Sequence, residues 1–159
     1  MQILKQVVLK NQSLSADSGL KPDAGKLNEA LKQVSQLARH DCLVCLISDG
    51  DGINSETRRY ITRLAEHNDV LTAFIYDPLE KDIPAAGRLR FADGETQLEV
   101  DTSNRKLRTA FKTEFEQKME QMQSASRRFS IPLLPLHTSS PVSEQIRDIL
   151  GHQQQTKRF

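Results

Sequence analysis

Two apolar runs, "CLVCLIS" at 42–48 and "VLTAFIYD" at 70–77, constrain the fold more than anything else in the chain. Each is continuous instead of alternating, which is the pattern of a strand buried on both faces of a parallel sheet. Between them Asn54 or Ser55 can cap a helix whose inward face carries Tyr60, Ile61, Leu64 and Ala65. A strand, a helix and a second strand in that order predict a right-handed parallel crossover, and hence an α/β fold.

The flanking segments extend this unit. Residues 2–14 place Ile3, Leu4, Val7 and Val8 on one helical face, and "SADSGLKP" then breaks the pattern with Gly19 and Pro22. A second helix is expected from about Asp23, its N-cap, with Leu27, Ala30, Leu31, Val34, Leu37 and Ala38 at 3–4 spacing on its inward face. "GRLRFADGETQLEVD" reads as a hairpin about an Asp93-Gly94 turn, which pairs Phe91 with Thr96, Leu89 with Leu98 and Arg88 with Glu99. A long helix follows from about Ser103 to Arg128, striped by Leu107, Phe111, Phe115, Met119 and Met122, with Glu114 and Lys118 as an i,i+4 pair on its wet side. "FSIPLLPLHT" is a third strand that Pro132 and Pro135 demote to an edge or to a ragged strand. Ser140-Pro141 opens a last helix that Gly151 ends, leaving 151–159 as a disordered tail. The expectation is one domain over 1–150, a three-layer Rossmann-like arrangement with a partial parallel sheet and a hairpin insertion. Three strands are few for so many helices, which points to a sheet incomplete on its amino-terminal side.

Composition excludes several roles. The 22 basic and 21 acidic side chains of the 159 residues leave a formal charge of +1, and aromatic residues make up 5%, so neither a basic field nor a stacking surface for nucleic acid is expected. Arg127 and Arg128 read as a charged helix end. No apolar run reaches the ~20 residues of a membrane span, and no signal peptide opens the chain, so it reads as soluble and cytoplasmic. Cys42 and Cys45 spell C-x-x-C, but inside a strand they point to opposite faces, and no second pair completes a zinc site. Both are expected to be buried core thiols.

Ligands of open parallel sheets gather at the carboxyl ends of the strands. Those ends carry Ser48, Asp49 and Asp51 on the first strand, Asp77 on the second, and His137, Thr138 and Ser139 on the third. Carboxylate and hydroxyl oxygens suit a hard cation, which would make a small divalent-metal enzyme or phosphate-binding protein. The same residue types also fill turns and cap helices. Sharper motifs fail. An EF-hand loop from Asp49 would have Ile53 at its fifth position and Tyr60 at its twelfth, and no P-loop or G-x-G-x-x-G occurs. His137 lacks a nucleophile in an elbow. His40 and His67 fall at helix ends, where they complement the dipole.

The helix "KLNEALKQVSQLAR", the strand ending Ser48-Asp49, Asp77-Pro78-Leu79-Glu80, Pro84, the hairpin and Val100-Asp101-Thr102-Ser103 together resemble one bacterial family over roughly 23–150. This is the domain-of-unknown-function family fifty-eight, von Willebrand factor A-like proteins usually encoded beside MoxR-type AAA+ ATPases. The resemblance implies a Rossmann-like A-domain that acts as an interaction module, an adaptor of such an ATPase in assembly or maturation of other proteins. Full-length members carry amino-terminal membrane helices that this chain lacks, with the domain on the cytoplasmic side. The A-domain fold holds Mg²⁺ or Mn²⁺ through D-x-S-x-S, a threonine on a second loop and an aspartate on a third. Only the last carries over, as Asp49; Gly25 stands in the threonine position and no D-x-S-x-S occurs. The adhesion-type metal site is therefore degenerate, and no cofactor is expected unless an absent segment supplies the missing ligands. Either the chain is a fragment, which the narrow sheet favours, or it is a metal-free variant. A fragment with a bare sheet edge would be prone to pair as a homodimer.

Overall fold

The computed structural model of the chain describes residues 24–93 and 96–156. The expected helix at 2–14, the cap at Asp23 and residues 157–159 lie outside them. In chain order the elements are α1 (Ala24–Leu37), β1 (Leu43–Ser48), α2 (Ser55–Ala65), β2 (Asp69–Tyr76), α3 (Pro78–Lys81), β3 (Arg88–Asp93), β4 (Thr96–Asp101), α4 (Arg105–Phe129), β5 (Leu133–His137) and α5 (Val142–Thr156). β1, β2 and β5 form a parallel sheet in the order β1-β2-β5, and β3 pairs with β4 in a separate antiparallel hairpin.

Helices cover both faces of the sheet. On one face Val44 and Val70 pack with Leu31 of α1 and Leu64 of α2, and Phe74 and Tyr76 stack towards Phe115 of α4. On the other, Leu71, Ala73, Ile75, Leu134 and Leu136 meet Ile146 and Ile149 of α5. The three-layer α/β expectation holds, but of the expected α1 stripe Ala30 and Leu37 are exposed, since the residues packed on the sheet and α2 are Leu27, Leu31, Val34 and Ala38.

β2 is the strand enclosed on both sides, with Val70, Ala73 and Phe74 all buried. β1 is not, contrary to the reading of "CLVCLIS" as doubly buried. It is an edge strand on which Val44 and Leu46 face α1 and α2 while Leu43 and Ile47 stand 74% and 68% exposed. The cysteines follow the strand and are not core thiols: Cys42 is half-buried and Cys45 is exposed. The physical reason is coverage. α5 lies over β5 and β2 and leaves the β1 part of that face open.

β5 is an edge, as its prolines demand. Thr72 donates its N–H to Pro132 O and Thr138 donates to Tyr76 O, so residues 132, 134, 136 and 138 turn their backbone groups to β2. Leu133, Pro135 and His137 therefore turn theirs outward, and Pro135 sits where no ladder donor is needed.

Local chemistry fixes the helix starts. Asn54 caps α2 by accepting from Glu56 N–H (2.9 Å) and Thr57 N–H (3.0 Å), and Thr57 Oγ1 accepts from Asn54 N–H in return. The fully buried Thr57 hydroxyl also donates to Asn28 Oδ1 at 2.6 Å, which ties α1 to α2. Asn104 caps α4, and Ser130 ends it in the left-handed region at φ 54°. α5 runs through Gly151 to Thr156 instead of stopping there. Gly151 costs only about 1 kcal/mol relative to Ala inside a helix, and the glutamines beyond it are good helix formers. Among the described residues no helix is long and apolar enough to cross a membrane.

The hairpin keeps its expected faces but not its expected register. Phe91 pairs with Leu98, Leu89 with Val100, Arg90 with Glu99, Arg88 with Asp101 and Asp93 with Thr96, a slip of two residues from the pairing about Asp93-Gly94. An even slip leaves every side chain on its own face. It replaces one apolar pair with two and sets both arginines opposite acids, so cross-strand packing outweighs the local turn preference.

Candidate functional site

The carboxyl ends of the strands bring the sequence-predicted residues to one side of the sheet, where they form two separate sets. The first follows β1. Ser48 Oγ accepts from Gly50 N–H at 3.1 Å, and Asp49 Oδ1 accepts from Asp51 N–H at 3.1 Å. Gly50 has φ +80°, a conformation that glycine adopts without strain. It lies against α4, where an added Cβ would come within 3.2 Å of Met122 Sδ and of Phe74 Cε2. Asp51 is bound to the same helix by Lys118 Nζ at 2.5 Å. Lys118 thus leaves Glu114, its expected partner, because its stem runs over Phe74, with Nζ 5.7 Å from the ring centroid, towards the β1 loop.

The second set follows β2 and β5. Asp77 is the N-cap of α3: its Oδ1 accepts from Leu79 N–H at 2.8 Å, and Glu80 Oε1 accepts from Asp77 N–H at 3.1 Å. The other oxygen, Oδ2, accepts from the Thr138 hydroxyl at 3.0 Å. His137 lies beside Tyr76, ring centroids 6.0 Å apart, with Nδ1 2.8 Å from Ser139 Oγ and Nε2 3.5 Å from Ser140 Oγ. Its backbone is held from both sides by one side chain. His137 N–H donates to Gln145 Oε1, and Gln145 Nε2 donates to His137 O, each at 2.8 Å.

Among the described residues no hydrogen bond or ion pair joins the two sets, and no three His, Cys, Asp or Glu side chains gather as a ligand group. Asp49 Oδ1 is taken up by the backbone of its own turn. The described residues do not fit a divalent cation, which exchanges water for several oxygens at once. Nor does His40 or His67 take part: His40 Nδ1 is 2.8 Å from Asp41 Oδ2, and His67 N–H donates to Leu64 O at the end of α2. Next to the first set, a narrow cleft of about 140 Å³ opens between α2 and α4, lined by Leu46, Ile61, Met122 and Phe129 with Arg58 and Lys118 also on its wall.

The distinctive short motifs have structural work in this geometry. Asp77-Pro78-Leu79-Glu80 is the capping box of α3. In Val100-Asp101-Thr102-Ser103, the fully buried Thr102 closes the base of the hairpin, donating its hydroxyl to Gly87 O (2.7 Å) and accepting from Ala86 N–H (3.0 Å). Arg108 Nη1 then donates to Thr102 O at 2.5 Å, which anchors the hairpin to α4. Gln145 and Lys118 were not legible as site residues. Each belongs to an amphipathic helix and differs from its polar neighbours only in where the tertiary fold sends its tip.

A parallel α/β core with a hairpin stitched on by a buried threonine, and a divided polar rim at its strand ends, defines the class of domain. The chain belongs to the DUF58 family: the family model described as "Protein of unknown function DUF58" matches residues 1–121. That span takes in residues before Ala24 and ends inside α4, earlier than the 23–150 over which the motifs had been read. β5 and α5 lie beyond it, yet β5 belongs to the same sheet and α5 packs on it. No curated protein and no solved structure matches the chain.

Proposed function

We propose that this domain is a non-enzymatic interaction module that presents the rim after β1, β2 and β5 to a protein partner. The observation that carries this reading is the state of the rim's polar groups. Asp51, Asp77 and Ser48 are each taken up by a cap, a turn or a lysine tether, and they build a firm surface in two parts instead of converging on a common point. Such a rim fixes the shape of three loops: His137 and the Ser139 hydroxyl are 2.8 Å apart, but the Asp77 carboxylate is taken up by the α3 cap and Thr138. Family membership, together with the resemblance to proteins encoded beside MoxR-type AAA+ ATPases, supports an ATPase of that type as the partner.

The test is direct binding between the purified domain and the MoxR-type ATPase of the same genome, measured by biolayer interferometry with and without ATP. Binding weakened at least tenfold by Asp49→Lys or Ser139→Glu, both exposed positions on the rim, is the expected result. The rival is a metal-dependent enzyme using Asp49, Asp51, Asp77 and His137. Saturable Mg²⁺ binding by calorimetry that Asp49→Ala abolishes would replace the docking reading with that one.

A further inference from the structure

We propose that the cleft between α2 and α4 is a binding site for a small carboxylate with a single-ring apolar body and a second hydrogen-bonding atom at its far end. The space is left open by small residues on facing elements. Towards these helices β2 presents Val70, Thr72, Phe74 and Tyr76, and the threonine is the smallest of the four. Leu46 and Leu133 stand beside it in register across the sheet, and the three form the floor of the cleft. Above them α4 brings Ala125 and Ser126 to the wall between Met122 and Phe129, so the helix face dips where the strand face does. The resulting volume of about 140 Å³ suits one benzene-sized ring.

The floor offers a polar atom without a partner. Thr72 is only 9% exposed, yet among the described residues none hydrogen-bonds its hydroxyl. That oxygen is not sealed in, since no fully buried side-chain polar atom of the described residues lacks a partner, so it opens on the cleft that Thr72 lines. Ser126 differs, because its hydroxyl donates to Ile131 O at 2.6 Å. Against walls of Ile61, Met122 and Phe129, one bare hydroxyl can orient a bound molecule by a single atom.

The mouth sets the charge. Arg58, in the first turn of α2, and Lys118 both stand on the wall at the rim end, and among the described residues no carboxylate lines the cleft. Lys118 shares its charge with Asp51, whereas Arg58 has no acidic partner among the described residues, the nearby Glu56 reaching Arg59 instead. A free guanidinium at the entrance of an apolar slot selects a carboxylate, which it holds through two parallel hydrogen bonds. Bound there, the ligand lays its body over Leu46 and turns its far end to Thr72.

The experiment titrates the full chain with para-hydroxyphenylacetate, phenylacetate and tyramine by calorimetry. The first should bind saturably at one site, phenylacetate several-fold more weakly, and tyramine, which carries a cation in place of the carboxylate, at least tenfold more weakly. Arg58→Gln, at an exposed position, should weaken the first acid at least fivefold. Thr72→Val should erase the difference between the two acids without lowering the thermal melt, because it orphans no partner. Ala125→Leu should fill the cleft and abolish binding. No saturable binding of either acid at millimolar concentration overturns the proposal, and a cleft filled by another part of the chain gives that result. An affinity that tyramine equals, or one that neither Arg58→Gln nor Ala125→Leu reduces, places the ligand elsewhere and overturns it equally.

Discussion

Thr57 and Thr102 are both completely buried, and each hydroxyl both donates and accepts, yet their replacement by valine should have unequal effects. Valine keeps the shape and removes the hydroxyl. At Thr57 this strips Asn28 Oδ1 of its donor and Asn54 N–H of its acceptor. Asn28 is buried, so its oxygen bears the desolvation penalty of roughly 1–3 kcal/mol, whereas the exposed Asn54 N–H can turn to water. With about 0.5–1 kcal/mol for the lost arm of the capping box, the expected loss is about 1.5–4 kcal/mol. At Thr102 the partners keep other bonds. Ala86 N–H also donates to Pro84 O at 2.9 Å, and Gly87 O also accepts from Thr102 N–H at 2.7 Å. No group is orphaned, and the loss should be about 1 kcal/mol or less. For a chain of this size the two variants should melt roughly 3–16 °C and under about 4 °C below the parent. Urea unfolding followed by far-ultraviolet circular dichroism would measure the same order. A Thr102→Val chain as destabilised as Thr57→Val would refute the idea that orphaned partners set the cost.

Gly50→Ala and Gly87→Ala make a second matched pair. Both glycines lie near φ +80°, so each substitution carries roughly 1 kcal/mol of backbone strain, but only at Gly50 does the new Cβ press on Phe74 and Met122. Chemical denaturation should therefore rank Gly50→Ala as clearly the worse of the two. Lys118→Met removes the ion pair to an Asp51 that is 78% exposed and keeps the stem over Phe74. Its stability should change by less than about 1 kcal/mol, and the parent's small advantage should fade in high salt.

The features legible in the sequence were those set by local pattern. The crossover from β1 through α2 to β2, a cap at Asn54 or Ser55, a third strand that Pro132 and Pro135 keep from the centre of the sheet and the two faces of the hairpin all follow from residue spacing and backbone chemistry. The features that were not legible depend on coverage. "CLVCLIS" reads as doubly buried because an apolar run shows how much could be covered, not how far α5 extends across the sheet. The hairpin register turned on which side chains meet across the strands, a non-local quantity that the Asp93-Gly94 dipeptide does not encode. At the candidate site the acids were visible at once, but their partners were not. Lys118 arrives from 67 residues beyond Asp51, and Thr138 from 61 beyond Asp77.

The side-chain amide of Gln145 has a consequence for what assemblies the chain can enter. By presenting a carbonyl and an N–H₂ to one residue of β5, it stands in for a short length of neighbouring strand. A sheet with two receptive margins can add copies without end, as fibres do. A margin stoppered by glutamine and proline withdraws β5 from any such growth.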